Sequence, residues 1–127
     1  MGGRVLYVED DDLMRGALSR TMEAAGFEVT ATANGDQALA ALQSDAPDPD
    51  VIVLDLVMPK VDGWEFLGMA REDALIASIP LIVTTSSERS VDLLPADVVV
   101  LRKPFEAEDL LRALRAAIAR GRNPKRA

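Results

Sequence analysis

Acidic, hydroxyl and lysine side chains follow four short apolar runs of this sequence. The acidic run EDDD, at residues 9–12, follows the apolar run at 5–8, and Asp55 follows the apolar run at 51–54. The hydroxyl run TTSS, at residues 84–87, and Lys103-Pro104 follow two later apolar runs. A carboxylate at the end of a buried run loses hydration, and burying its charge is costly unless something pairs with it. Asp55 therefore needs a positively charged partner.

These residue types suit the chemistry of a phosphoryl group. Three carboxylates from two neighbouring strand ends would form an all-oxygen site for Mg²⁺, which is a hard cation. A lysine and a hydroxyl from two further strand ends would hold a phosphoryl group. A carboxylate nucleophile completes a site for forming an aspartyl phosphate. Taken singly, each run has a plainer interpretation, as a helix cap or a polar surface turn. The four together favour the phosphoryl site.

Five apolar or alternating runs predict β-strands, and the stretches between them have helical periodicity. The strand runs are residues 5–8, 28–33, 51–54, 81–84 and 98–101. The first helix has apolar residues at helical spacing: Leu13, Ala17, Leu18, Met22 and Ala25. Gly26 predicts its end, and Asn34-Gly35 and Asp62-Gly63 predict the next two helix starts. The last helix is predicted at about residues 106–120.

The alternation of strands and helices predicts an α/β fold with a parallel sheet. Parallel strands need crossover connections, and the crossing helices cover both faces of the sheet. Binding sites of such open sheets lie outside the carboxyl ends of the strands. Because the four polar sets stand at those ends, we expect them to meet at one edge.

The composition excludes several classes of protein. The 127 residues are 49% apolar and carry a net charge of −7, which is typical of one soluble globular domain. Because the chain has no cysteine and no histidine, disulfides, serine–histidine catalysis and the usual zinc sites are excluded. No apolar run reaches the length of a membrane span or a signal-peptide core, so we expect a cytoplasmic protein.

Charge is distributed unevenly along the chain. Residues 112–127 contain no acid, whereas all 21 acids precede them. Their six bases are Arg112, Arg115, Arg120, Arg122, Lys125 and Arg126. Such a segment can touch nucleic acid or acidic lipid, but it more simply complements the dipole of a helix C-terminus. The acidic body argues against a nucleic-acid surface on the domain itself.

The chain resembles the receiver domains of bacterial two-component response regulators over residues 4–120. The motifs VLYVEDD, VIVLDLVMPKVDG, PLIVTTSS and LRKPF occur in the order of that family. The resemblance implies a doubly wound, flavodoxin-like (βα)5 sheet with strand order 2-1-3-4-5. It also implies phosphorylation with Mg²⁺ by a sensor histidine kinase or a phosphotransfer protein. With no histidine of its own, this chain would need that donor from another protein or segment.

The resemblance assigns a role to each matching acidic residue. Asp55 matches the phosphoacceptor. Glu9 and Asp10 match the acidic pair, with Asp10 expected to bind Mg²⁺ directly and Glu9 through water. Val57 would give its backbone carbonyl to the metal, and Asp11 is expected to be solvated or to cap the first helix.

The remaining motif residues would bind the phosphoryl group. Thr85 matches the switch hydroxyl, the backbone N–H of Ser86 would meet a phosphoryl oxygen, and Lys103 matches the phosphate-binding lysine. The Lys103-Pro104 peptide would be cis. The domain would thus be a phosphoacceptor that takes part in its own phosphorylation and dephosphorylation, rather than a classical enzyme.

The output would be a shift of the face formed by the fourth and fifth strands, which would bind a downstream protein. Two departures from the family pattern concern this face. Val100 stands where receivers usually have an aromatic residue, and the segment between Thr85 and Lys103 is short and contains Pro95. We therefore predict a shortened or irregular helix between these strands and an atypical readout.

Two other functions fit parts of the sequence. A receiver-like docking module could work without phosphorylation, as the altered segment suggests. A Mg²⁺-dependent phosphohydrolase would need a second acid two residues after Asp55, where Val57 stands. We expect a receiver domain at residues 1–121 and a basic tail at 122–127, with no room for an output domain after Gly121. The tail could end a single-domain regulator or begin a linker in a larger protein.

Overall fold

The computed structural model describes residues 2–56, 62–86, 94 and 98–121, and only the backbone of 62–64, 70 and 121. Its strands are β1 (Arg4–Val8), β2 (Glu28–Thr32), β3 (Val51–Asp55), β4 (Leu81–Thr85) and β5 (Val99–Arg102). Its helices are α1 (Asp12–Ala24), α2 (Gly35–Leu42), α3 (Asp62–Glu72), α4 (Ala74–Ala77) and α5 (Ala107–Gly121).

The five strands form one parallel sheet in the order β2-β1-β3-β4-β5. The predicted fold class and strand order are therefore confirmed. In β1 and β3 nearly every residue is buried, as expected for strands covered on both faces. The register places Asp55 of β3 beside Thr84 of β4, which brings the ends of these strands level with each other.

Two apolar clusters lie on opposite faces of the sheet, because side chains alternate along each strand. Ile52 and Leu54 of β3 belong to one cluster, whereas Val51 and Val53 belong to the other. Helices α2, α3 and α4 pack on the first face, through residues such as Ala38, Phe66 and Ile76. Helices α1 and α5 pack on the second, through residues such as Met22, Leu110 and Leu114.

Helix ends follow the predicted capping residues. Asp11 caps α1 by accepting a hydrogen bond from Met14 N at 3.0 Å, and Asn34 caps α2 by accepting from Gln37 N at 2.9 Å. Gly26 follows the end of α1 with φ of +101°, a conformation that favours glycine. The stop at Gly26, the start at Asn34 and the capping role of Asp11 are thus confirmed.

Several details of the helices differ from the sequence predictions. Leu13, in the first turn of α1, is 87% exposed instead of packing with the apolar face of that helix. Helix α4 was not predicted. It is one turn long and buries Ile76. Asp73 caps its start by accepting hydrogen bonds from the backbone N–H groups of Leu75 and Ile76. Gly121 belongs to α5 rather than following it.

The shortened or irregular helix predicted between β4 and β5 lies outside the described residues, as do Pro95 and the tail at 122–127. The side chains of Trp64 and Ala70 are also outside them. Among the helices that the structure describes, none is long and apolar enough to cross a membrane.

Candidate functional site

The carboxyl ends of β1, β3, β4 and β5 meet at one edge of the sheet. Glu9 follows β1, Asp55 ends β3, Thr85 ends β4 and Lys103 follows β5. Backbone hydrogen bonds continue the sheet past these ends, from Lys103 N to Thr85 O at 2.9 Å and from Leu56 N to Thr84 O at 3.1 Å. The parallel sheet therefore brings together residues that lie up to about a hundred positions apart.

Three carboxylates form the centre of this edge. Glu9, Asp10 and Asp55 each offer an oxygen atom, and these atoms lie within 4.8 Å of one another. Glu9 and Asp55 are 1% and 2% exposed, whereas Asp10 is half-buried. A donor set of carboxylate oxygens alone, open to solvent on one side, fits a hard divalent cation such as Mg²⁺.

Lys103 provides a positive charge to the cluster. Its Nζ lies 3.4 Å from Asp55 Oδ2 and 3.7 Å from Glu9 Oε1. With all three acids ionised, one ammonium group between the two buried carboxylates leaves two negative charges in excess. A divalent cation in the cluster would balance that excess.

Crowding of the carboxylates changes the acidity of Glu9. Burial raises the pKa of Glu9 to about 8, helped by a hydrogen bond to Asp55 and by the charge of Asp55. The charge of Lys103 and the Asp11 N–H oppose this rise in the pKa. Glu9 therefore takes up a proton readily when no cation is bound, and a bound cation would displace that proton.

Tyr7 approaches Glu9 from the core side. Its O–H donates to Glu9 Oε1 at 3.4 Å, and its side chain is fully buried in the apolar cluster beneath α1 and α5. Burial above all, and then the charge of Glu9, raise the pKa of Tyr7 well above its usual range, so that the hydroxyl stays a donor. The sequence analysis placed Tyr7 only within an apolar strand. The missed signal was a tyrosine two residues before an acid, which puts both on one face of a strand.

Arg15 holds the main chain of the same loop. Its Nη1 donates to the carbonyl oxygen of Glu9 at 2.8 Å, while its Nη2 pairs with Asp12. Arg15 was not among the residues predicted for the site. Its spacing of three residues from Asp12 is a signal for the ion pair, but only the fold shows that it reaches Glu9.

The hydroxyl and proline motifs lie at the same edge. Thr84 and Thr85 are buried at the end of β4, and Ser86 follows them with an exposed side chain. The Lys103-Pro104 peptide is cis, as the resemblance implied. Val57, which we expect to offer its carbonyl to a metal, lies outside the described residues. The structure thus places Glu9, Asp10, Asp55, Thr85 and Lys103 at one edge, with Ser86 beside them.

Comparisons with known proteins point to one family. Residues 5–115 match the response regulator receiver domain family. The chain is 36% identical to the response regulator MprA of Mycolicibacterium vanbaalenii, over 92% of this chain and 51% of that protein. It is 32% identical to SphR of Synechococcus elongatus, an alkaline phosphatase synthesis transcriptional regulatory protein, over 94% of this chain and 50% of SphR. The chain therefore spans about half the length of these two relatives.

A solved structure supports the same assignment. The receiver domain of sensor histidine kinase PA1611 from Pseudomonas aeruginosa superimposes with a TM-score of 0.81 at 26% identity. The match covers 94% of this chain and 99% of that domain, which has a magnesium ion coordinated in its active-site cleft. On sequence and fold together, the chain belongs to the response regulator receiver domains of two-component systems, which are signalling modules rather than classical enzymes.

Proposed function

We propose that this domain accepts a phosphoryl group on Asp55 and uses it to switch a protein-binding face. The observation that carries the proposal is the contact of Lys103 Nζ with Asp55 Oδ2 at 3.4 Å, beside the cluster that Asp55 forms with Glu9 and Asp10. An aspartate buried with one lysine and two acids is a poor structural ion pair, because the negative charge is in excess. The same arrangement suits a nucleophile that works with a cation.

The transfer step follows from this geometry. An oxygen of Asp55 attacks the phosphorus of a partner's phosphohistidine or of a small acyl phosphate, and the bond from phosphorus to the leaving nitrogen or oxygen breaks. Mg²⁺ held by Glu9, Asp10 and Asp55 would spread the charge of the transferring group. Lys103 balances the carboxylate before transfer and the phosphoryl oxygens after it. Attack of water on the phosphorus later returns Asp55 and inorganic phosphate.

We assign the remaining motif residues by the same reasoning. The backbone N–H of Ser86 and the carbonyl of Val57 serve the phosphoryl group and the metal, respectively. Thr85 moves toward the phosphoryl group, and its movement changes the packing of β4 against β5. The added charge of about −1.5 to −2 is the source of the shift between the two states.

The downstream partner binds beside β5 in this proposal. Between β5 and α5 lies a groove of about 400 Å³, whose walls include Val100, Phe105 and Arg112. Val100 is half-buried and lies beside Val83 of β4, two residues before Thr85, while Thr85 itself is level with Arg102 of β5. The aliphatic side chain at this position underlies our proposal of an atypical readout.

The proposal also covers the phosphoryl donor of the domain, its compartment and its bounds. Its donor is a sensor histidine kinase or a phosphotransfer protein in the cytoplasm, and the acidic balance of the chain, −7 in all, argues against a nucleic-acid or membrane surface on the domain. We retain residues 1–121 as the receiver domain and 122–127 as a basic tail.

Intact mass after incubation with acetyl phosphate and Mg²⁺ tests the function. We expect a single phosphoryl adduct that is absent with EDTA and in Asp55→Asn. Asp36→Asn is the matched control, because Asp36 is an exposed aspartate in the first turn of α2. It should form the adduct as the wild type does.

The absence of an adduct with acetyl phosphate and with candidate kinases would overturn the proposal. In that case, equal binding of a partner by the wild type and Asp55→Asn would favour a docking module that works without phosphorylation.

A further inference from the structure

The Glu9 carboxylate is held by three protein donors. The Tyr7 hydroxyl and Lys103 Nζ both approach Oε1, at 3.4 and 3.7 Å. The Asp11 N–H donates to Oε2 at 3.3 Å. Oε1 therefore faces both the Tyr7 hydroxyl and the Lys103 ammonium, whereas Oε2 meets only the Asp11 N–H and is the oxygen more open to a cation.

Of the two donors at Oε1, Tyr7 is the fixed one. Its ring is fully buried in the apolar cluster that packs against α1 and α5. Lys103 has a flexible stem, a side chain 24% exposed and a second contact with Asp55. When Lys103 turns toward a phosphoryl group on Asp55, the Tyr7 hydroxyl remains at Oε1.

We propose that Tyr7 is a positioning residue of the metal site: its hydroxyl fixes the Oε1 atom of Glu9 and so presents Oε2 to the cation. This inference rests on the proposed Mg²⁺ site, and it gives a residue of the apolar core a part in metal binding. Glu9 has three rotatable side-chain bonds, and a carboxylate already held in place loses less conformational freedom when the cation binds. Without the hydroxyl, Oε1 keeps only the longer contact with Lys103, so more of the ordering of Glu9 falls to the cation.

A double-mutant cycle tests the inference with metal affinity as the readout. Mn²⁺ binding to the unphosphorylated protein is followed by the electron paramagnetic resonance signal of the free ion, and Mg²⁺ is measured by competition. Tyr7→Phe keeps the ring and removes only the hydroxyl. We expect it to weaken Mn²⁺ binding about three- to tenfold. Loss of a group that hydrogen-bonds to a metal ligand typically lowers metal affinity about 10- to 100-fold, so this effect is at or below the low end of that range.

The second arm of the cycle removes the group through which Tyr7 acts. In Glu9→Ala, which retains Asp10 and Asp55 for the ion, adding Tyr7→Phe should leave the dissociation constant unchanged. A general structural effect of the hydroxyl would weaken binding equally in both backgrounds. An equal effect in both backgrounds, or no effect in either, would overturn the inference.

Thr32→Val is the matched control. It also removes a buried hydroxyl, one that is bonded to the backbone of Tyr7 rather than to Glu9. It should lower thermal stability and leave the Mn²⁺ dissociation constant unchanged. A loss of affinity equal to that of Tyr7→Phe would show that any damage to this strand pair disturbs the site, which contradicts a specific role for Tyr7.

A kinetic measurement provides a second readout. In phosphorylation by acetyl phosphate, Tyr7→Phe should raise the Mg²⁺ concentration for half-maximal rate by the same factor and leave the maximal rate unchanged. A fall in the maximal rate alone would overturn the inference. Failure of the wild type to bind Mn²⁺ would instead overturn the proposed metal site, so the two failures are distinguishable.

Discussion

The parallel sheet has an ion pair at each end, and the two pairs differ more in exposure to solvent than in the distance between their charged atoms. At the amino end, Arg4 Nε lies 3.0 Å from Glu28 Oε2, with side chains 49% and 74% exposed. At the carboxyl end, Lys103 Nζ lies 3.4 Å from Asp55 Oδ2, with side chains 24% and 4% exposed. The shorter pair is the weaker one, because water screens exposed charges and long side chains lose freedom when they pair.

Burial of the acids separates the two ends further. Arg4 meets Glu28 in solvent, and its backbone N–H donates to Asp50 Oδ2 at 2.8 Å, whereas Lys103 faces the buried carboxylates of Asp55 and Glu9 with Asp10 nearby. Water screens the exposed charges at the amino end, so they need no ligand. An unbalanced buried cluster can be stabilised by a cation or by a proton, and a transferred phosphoryl group changes its charge again.

The largest expected effect is that of removing the positive charge at the carboxyl end. Lys103→Met should slow phosphorylation by acetyl phosphate about 100-fold, since a charged donor aimed at the transferring group is lost. The initial rate of adduct formation at saturating Mg²⁺ measures this. Arg4→Met, which removes a positive charge from the other end, is the control and should change the rate less than about twofold. Equal rates in the two variants would mean that Lys103 has no part in transfer.

An effect of intermediate size concerns the pH dependence of stability without metal. Glu9 has a pKa of about 8 in the folded protein against 4.5 as its ordinary value. Between these values the folded state binds more protons than the unfolded state, so the free energy of unfolding falls as pH rises. The slope reaches at most about 1.4 kcal/mol per pH unit. Urea unfolding in EDTA at several values between pH 5 and 8 measures it.

Glu9→Gln supplies the control for that pH dependence. Because its amide does not titrate, the variant should lose this part of the slope and should exceed the wild type in stability at pH 8 in EDTA. Parallel curves for the two proteins would contradict the raised pKa of Glu9.

The smallest expected effect is at the amino end. Breaking the exposed pair by Glu28→Gln should change the free energy of unfolding by less than about 1 kcal/mol, because surface ion pairs contribute little. Urea unfolding at low salt and at 1 M NaCl measures the change, which should shrink as salt screens the charges. A larger loss of unfolding free energy that persists in high salt would show that the N–O distance, rather than burial, decides which ion pair is the stronger.

The sequence predicted the sheet well because both signals it relies on are local. Residues 51–54 are apolar without a break, and such a run fits a strand buried on both faces. Caps such as Asn34 and stops such as Gly26 act within one turn of the helix that they bound, so their residue types were sufficient to place them. The candidate site at the strand ends followed from the same parallel arrangement.

The failures came where the outcome depends on distant parts of the chain. Leu13 has the spacing of a buried residue, but it is 87% exposed, because burial depends on what packs against the first turn of α1. Helix α4 is only one turn long, too short for periodicity to reveal it. Arg15 and Tyr7 were missed at the site because a guanidinium on a helix and a tyrosine in a strand have many other possible partners.

By itself, the sequence determined which elements form and which residue types stand at their ends. Strand runs, caps and the order of acids, hydroxyls and lysine are properties of neighbouring residues, and they require no knowledge of the fold. Only the tertiary structure decided how the charges balance. One lysine serves two buried carboxylates, because parallel pairing of β1, β3, β4 and β5 brings these groups within a few ångströms of one another. The tyrosine that contacts Glu9 is a neighbour in sequence, and the fold decides only that it is buried.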